Sequence, residues 1–434
     1  MESRVAAARV LHRFGFGPSG TDFEHAVAVG SGTAIADMFS AINAVNARVD
    51  AAKTPPPQLE YINYATAVSR AAAETQRRAQ ERELKLWWLD RMTTSRQPLL
   101  ERMTWFWHGH WATSQIKVRD ARLMLAQNQT LRTHALGNFT AQAEQMLQDP
   151  AMLIWLDSKG NKKGRPNENL GREFLELFTL GEGHYTETDV REASRALTGW
   201  QLDIVNGSAF RNNSNFDSGL KTILGTTAGF DVASLAKFIT QQSQCANFIS
   251  ARLWRHFGSD TPLTDVSLAP YRVTFGATQD IAELVRNMLN AIAVTDEALP
   301  HAKSPVEWLV STMRALGTRP LALSDKVQTG ILSDITAMGQ LPFFPPNVSG
   351  WPSGRAWFTA TSTQARMQCT QRLVAEAPKW IAKATPKQRP TLLADHLGVP
   401  AWTAPTQQAL VDPLVSAKDA VIIALNSPDY LVGA

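Results

Sequence analysis

The chain has 434 residues, 44% hydrophobic and 19% charged, enough for two or three domains or one large helical domain with excursions. A net charge of +4 is mild at this length, and no Lys/Arg cluster interleaves with aromatics, so no nucleic-acid partner is expected. No apolar run reaches the roughly 18 residues of a transmembrane helix. Cys245 and Cys369 are far apart, which argues against a disulfide framework or a zinc ribbon and fits buried thiols or one disulfide. The start, MESRVAAARVLHRFGFG, lacks an apolar signal region, so the chain as written reads as soluble and cytoplasmic. A leader trimmed upstream would make it an exported protein.

In chain order, a short helix over about Arg4–Arg13 leads into the loop GFGPSG. Thr21 and Glu24 have capping-box spacing and predict a second helix. Pro55, Pro56 and Pro57 form a stiff break, before which residues 1–53 can stand as an N-terminal helical subdomain of one module spanning 1–434. A long helix is predicted over about Leu59–Met92, another over Pro98–Trp107, and one or two over 117–148. Leu170, Phe174, Leu177 and Phe178 give Glu168–Leu180 the spacing of an amphipathic helix, ended by Gly181 and Gly183. Thr186 and Asp189 resemble a cap for a helix reaching Leu197. Residues 201–230 read as a loop or a small hairpin. Helices resume over about Val232–Phe257, Asp280–Val294 and Pro305–Leu316. Pro342–Trp357 is a Pro/Gly/Trp-rich loop, and helices close the chain. The expected class is mainly α, a multi-helical globular domain with irregular loops. Most of the thirteen tryptophans belong to its core by this reading.

The densest polar stretch is Asp149–Trp200. From Arg165 to Arg195 it sets seven acids against four arginines, a local charge of −3. Carboxylates beside apolar residues need compensation, by arginines or by a cation. Glu168 and Arg172 are spaced as a helical ion pair, whereas Glu173 and Glu176 repel unless a proton, an arginine or a metal intervenes. Asn167, Asn169 and Tyr185 add polar groups nearby. Upstream, His108 and His110 lie two apart in WFWHGHW. They point to one side only if Gly109 makes the segment extended, and they would then suit a divalent transition metal. The alternative is two histidines hydrogen-bonded among aromatic rings. Asp217 with Lys221 could contact a ligand or form a surface ion pair. Trp351, Arg355 and Trp357 could stack on a flat ligand or cap the core. Gly15, Gly17 and Gly20 match GxGxxG in spacing, but they follow a predicted helix, so a helix-to-helix turn is expected instead.

Five blocks taken together resemble a bacterial family, the domain of unknown function numbered 1800. They are HRFGFGPS, ERMTWFWHGHWATS, the Asp149–Trp200 stretch, KTILG and PPNVSGWPSGRAWF. The resemblance runs from about Val5 to Tyr430 and implies a largely helical bacterial module. It also implies frequent secretion leaders and, for many members, a phosphatase-like partner encoded alongside. In the family pattern a His-Asp pair precedes the KTILG-like block. Here Phe216 takes the place of that His and Asp217 is kept.

Two functional expectations follow. One is a metal-dependent enzyme, a hydrolase first and a redox protein second. His108, His110 and Glu168 would be its ligands, Glu168 or Glu173 its base, Arg172 the charge partner and Tyr185 a proton donor. The other is a non-catalytic helical module that binds a partner protein or a glycan.

Overall fold

The structure, a computed structural model, describes residues 2–64, 69–295, 299–375 and 380–433. The predicted mainly α class is what it has. Its helices open with α1 (Glu2–Gly15), α2 (Asp22–Val29), α3 (Ser31–Ser40) and α4 (Ala44–Lys53). Then come α5 (Arg70–Thr94), α6 (Pro98–His110), α7 (Gln115–Val118), α8 (Ala121–His134), α9 (Phe139–Leu147) and α10 (Pro150–Trp155). The middle holds α11 (Glu168–Glu173), α12 (Glu187–Ala196), α13 (Val232–Thr240), α14 (Ser243–Phe257), α15 (Asp265–Thr278) and α16 (Ile281–Val294). The last third holds α17 (Pro305–Leu316), α18 (Asp325–Ala337), α19 (Ala360–Ala375), α20 (Arg389–Leu397), α21 (Ala404–Val411), α22 (Ala417–Asn426) and α23 (Pro428–Leu431).

Side-chain oxygens start many of these helices. Asn43, Ser69, Asp120, Asn138, Asp149, Asp231 and Asp280 each accept from a backbone N–H of the first turn, which satisfies a donor the helix leaves open. Thr186 and Asp189 close a full capping box at α12, as predicted. Thr21 makes no such bond at α2; there Asp22 reaches back to the Ser19 N–H at 2.9 Å.

Three local expectations change. Residues 59–64 are not helical and α5 begins at Arg70, with 65–68 outside the described residues. The Glu168 helix is α only to Glu173 and continues as a π-helix over Phe174–Thr179. Residues 201–230 hold two hairpins rather than one. β1 (Trp200–Asp203) pairs antiparallel with β2 (Ser208–Arg211), and β3 (Lys221–Ile223) pairs with β4 (Thr226–Ala228). The β3–β4 turn is Leu224–Gly225, both at positive φ, which matches the twist of a tight hairpin. A short pair, β5 (His301–Ala302) with β6 (Val432–Gly433), ties the chain's end to the start of α17.

Two apolar cores result. One gathers α1, α9 and α12–α16, the other α5, α17–α20 and α22. Helix α6 lies between them. Met103, Phe106 and Trp107 enter the first core, and Trp105 enters the second. Among the described residues no helix is long and apolar enough to cross a membrane.

Candidate functional site

Helix α6 runs through Gly109 to His110, so the extended His-x-His arrangement is not formed. The two imidazoles diverge around the helix, as residues two apart must. His108 Nε2 accepts the Phe343 N–H at 3.0 Å, and Trp88, Trp105, Phe343 and Trp351 surround its ring. Burial lowers its pKa to about 3. His110 Nε2 donates to the Phe178 carbonyl at 3.0 Å, and burial holds its pKa well below the usual imidazole range. Glu168 starts α11, ten residues before the Phe178 carbonyl that anchors His110 and most of the α/π-helix away from it. The expected ligand set of His108, His110 and Glu168 is therefore not brought together. Among the described residues no three His, Cys, Asp or Glu side chains are placed to hold a metal ion.

The acidic island finds much of its compensation in arginines. Arg172 grips both oxygens of Glu187 at 2.8 and 2.6 Å and lies 3.5 Å from Glu168. Arg195 does the same for Asp217, at 2.9 and 3.3 Å, and also pairs with Glu192. Tyr185 donates to Glu176, and the pKa of Glu173 is raised by burial and by Glu176. Asn167 caps α11 by accepting from the Asn169 N–H at 2.9 Å, and its amide donates to the Asp157 carbonyl at 3.0 Å.

Asp217 and Lys221 are not a surface ion pair. Both are nearly buried, and Lys221 Nζ donates to the backbone carbonyls of Asp217 and Gly219 at 2.6 and 2.9 Å. Phe216 lies under two cations, Arg211 at 4.9 Å and Lys221 at 5.1 Å from its ring centre. It thus supplies packing at the position where the resemblance implies an imidazole.

The Trp-rich loop folds over the end of α6. Trp351 stacks on Trp105 with ring centres 5.1 Å apart, Trp357 is buried, and Arg355 is exposed. Gly350 has φ of +85°, and a Cβ there would run into the Gly109 carbonyl. Loop and helix therefore meet backbone to backbone, and a cleft of about 140 Å³ forms beneath them.

Into this cleft the structure brings groups that sequence reasoning did not single out. Arg252, Arg255 and His256 come from the end of α14, His301 from β5, and Glu307 from the first turn of α17. Glu307 is buried. Its partner is Arg102 of α6, itself fixed by donating Nε to the Arg13 carbonyl at 2.9 Å. His256 Nε2 stands 3.9 Å from one carboxylate oxygen and His301 Nε2 stands 3.6 Å from the other. The second oxygen also accepts the Ser304 N–H at 3.1 Å.

Burial would raise the Glu307 pKa, but Arg102, helped by the two histidines, holds it well below the ordinary carboxylate range. The pKa of His256 is held well below its usual value by burial and by Arg102. Lys303 beside them is lowered to about 7 by burial, partly offset by Glu307. Of the groups lining the cleft, His256 Nε2, both nitrogens of His301, His110 Nδ1 and Trp351 Nε1 are shielded from solvent without a hydrogen-bond partner. Buried polar atoms are rarely left so, and these five gather around one small cleft.

One signal for this site stands in the sequence. Ser304-Pro305-Val306-Glu307 has capping-box spacing with Pro at the first helical position, directly before an apolar run, and His301 lies three residues upstream. Nothing local marks His256, which reaches the cleft only through packing of α14 on the core.

No curated protein and no solved structure matches the chain. A family model described as a protein of unknown function, DUF1800, matches residues 9–432, and the chain belongs to that family.

Proposed function

We propose that this protein is an enzyme, a hydrolase acting on a small substrate with an oxyanion group, and that its working groups are His256, His301 and Glu307. The observation that carries the reading is the pair of imidazole nitrogens, both without a hydrogen-bond partner, facing opposite oxygens of one buried carboxylate. Glu307, kept ionised by Arg102, would orient a neighbouring imidazole and stabilise it once protonated. His256 is neutral, the form that accepts a proton from water; burial and Arg102 weaken it as a base, and Glu307 partly restores that basicity. Arg252 and Arg255, with the unpaired donor of Trp351, would hold the oxyanion. At about 140 Å³ the cleft is below the roughly 300–1,000 Å³ of a typical small-molecule site, which suits the reacting end of a substrate rather than a whole ligand.

A metal at this point would compete with Arg102 for the same carboxylate. The test is a screen of chromogenic nitrophenyl esters of phosphate, sulfate and carboxylic acids. It compares wild type with His256→Gln, His301→Gln and Glu307→Gln. Turnover of at least one ester, lowered about 100-fold or more in each folded variant, is the expected result. Absence of turnover with every ester, or variants as active as wild type, overturns the reading in favour of a partner- or glycan-binding module. Elemental analysis accompanies the screen. A stoichiometric transition metal lost on His256→Gln would replace the metal-free chemistry with a metal-assisted one.

A further inference from the structure

A second cavity, of about 530 Å³, lies at the seam where α1–α3 meet the start of α6 and the end of α17. Its size falls in the range of roughly 300–1,000 Å³ typical of small-molecule sites. Leu11, Ala26, Ala34, Met38 and Met313 give it an apolar wall. The charged groups on its lining divide into those already engaged and those left over. Asp22 accepts the Ser19 N–H at 2.9 Å and faces buried Arg314 at 3.7 Å. Asp37 lies 3.3 Å from His25. Arg314 donates to the carbonyls of Gly17 and Thr93, and Arg319 is held by both oxygens of Asp90. Lys53 and Arg96, both exposed on the lining, have no carboxylate within ion-pair distance among the described residues. The cavity thus joins an apolar body to a rim on which two unpaired cations, Lys53 and Arg96, outnumber the one carboxylate, Asp37, whose only partner among the described residues is an imidazole.

We infer that this cavity binds an organic anion with an apolar body, a carboxylate amphiphile, with its chain against Ala34, Met38 and Met313 and its head at Lys53 and Arg96. The site is separate from the His256–Glu307 cleft and does not depend on its chemistry. The probes are decanoate and decanol below their aggregation limits, titrated calorimetrically into the whole protein. Decanoate is expected to bind saturably, one per chain, and about tenfold or more tighter than decanol. Lys53→Glu/Arg96→Glu, on exposed residues, should remove that preference while decanol binding stays as in wild type. Ala41→Trp, at the half-buried edge of the cavity, should weaken both ligands. No saturable binding of decanoate, equal affinity for the two probes, or undiminished decanoate binding by the charge-reversed protein would overturn the inference. A thermal melt of each variant confirms that the comparison is made on folded protein.

Discussion

Arg102 shows how one side chain can set the character of a site. It stands fully buried between Phe16 and Phe257, gives Nε to the Arg13 carbonyl, and meets Glu307 with a terminal nitrogen. Removing one member of such a pair strands the other charge in a poorly solvated place, which costs about 3–5 kcal/mol. Arg102→Met should therefore lower unfolding stability by that order in urea titrations. Glu307→Gln keeps a polar group of the same shape facing Arg102 and should cost less. A smaller loss for Arg102→Met than for Glu307→Gln would mean that Arg102 does not supply the compensating charge. The sequence hides this relation, since Arg102 and Glu307 lie far apart along the chain. The acidic island was more legible, because Glu168 and Arg172 are helical neighbours and their pairing follows from spacing alone. Even there the stronger grip on Arg172 comes from Glu187, across a turn that periodicity does not describe.

At the scale of elements, α6 is where local propensity and packing disagree. Glycine costs a helix about 1 kcal/mol relative to alanine, which favours a break at Gly109. Packing reverses that preference, because α6 is enclosed by both cores and its backbone groups are satisfied only by remaining helical. A Cβ at position 109 would meet Trp351 at 3.8 Å, an ordinary contact. Gly109→Ala is accordingly expected to stabilise the protein by about 0.5–1 kcal/mol, read from the urea midpoint. Gly350→Ala should destabilise it by about 1–3 kcal/mol, because position 350 combines a positive φ with contact against the Gly109 carbonyl. If Gly109→Ala instead proved strongly destabilising, a helical residue 109 would be the wrong description. Helices α12 and α16 were legible because a capping side chain preceded an apolar period, whereas α4 and α15, also capped, were not. The π-helix over Phe174–Thr179 was not, because its apolar residues satisfy the α-helical spacing equally well.

Across the whole molecule the buried imidazoles make acid a specific threat. Burial leads the lowering of the pKa values of His12, His108, His110 and His256, and His108 reaches about 3. In the unfolded chain these groups titrate near 6.5, so below that pH the unfolded state takes up protons that the native state refuses. Stability from these residues is complete above pH 6.5 and falls as pH drops toward the native values. Asp149 works the other way. Burial raises its pKa to about 7, so between pH 7 and its unfolded value near 4 the native state holds a proton that the unfolded chain lacks. Across these five groups alone, four imidazoles against one carboxyl leave a net uptake of up to three protons on unfolding. At about 1.4 kcal/mol per proton per pH unit, stability should decline by as much as ~4 kcal/mol per unit below pH 6. A domain stable by about 5–15 kcal/mol at neutrality would then unfold within a few units of pH 6. Urea unfolding at half-unit steps from pH 7.5 to 5 measures the slope directly. His108→Gln keeps an acceptor that can serve the Phe343 N–H but cannot titrate, so its curve should be shallower than wild type by about one proton. An unchanged slope in that variant would mean that His108 protonates as readily in the folded protein as in the unfolded chain, and that the aromatic enclosure does not exclude its charge.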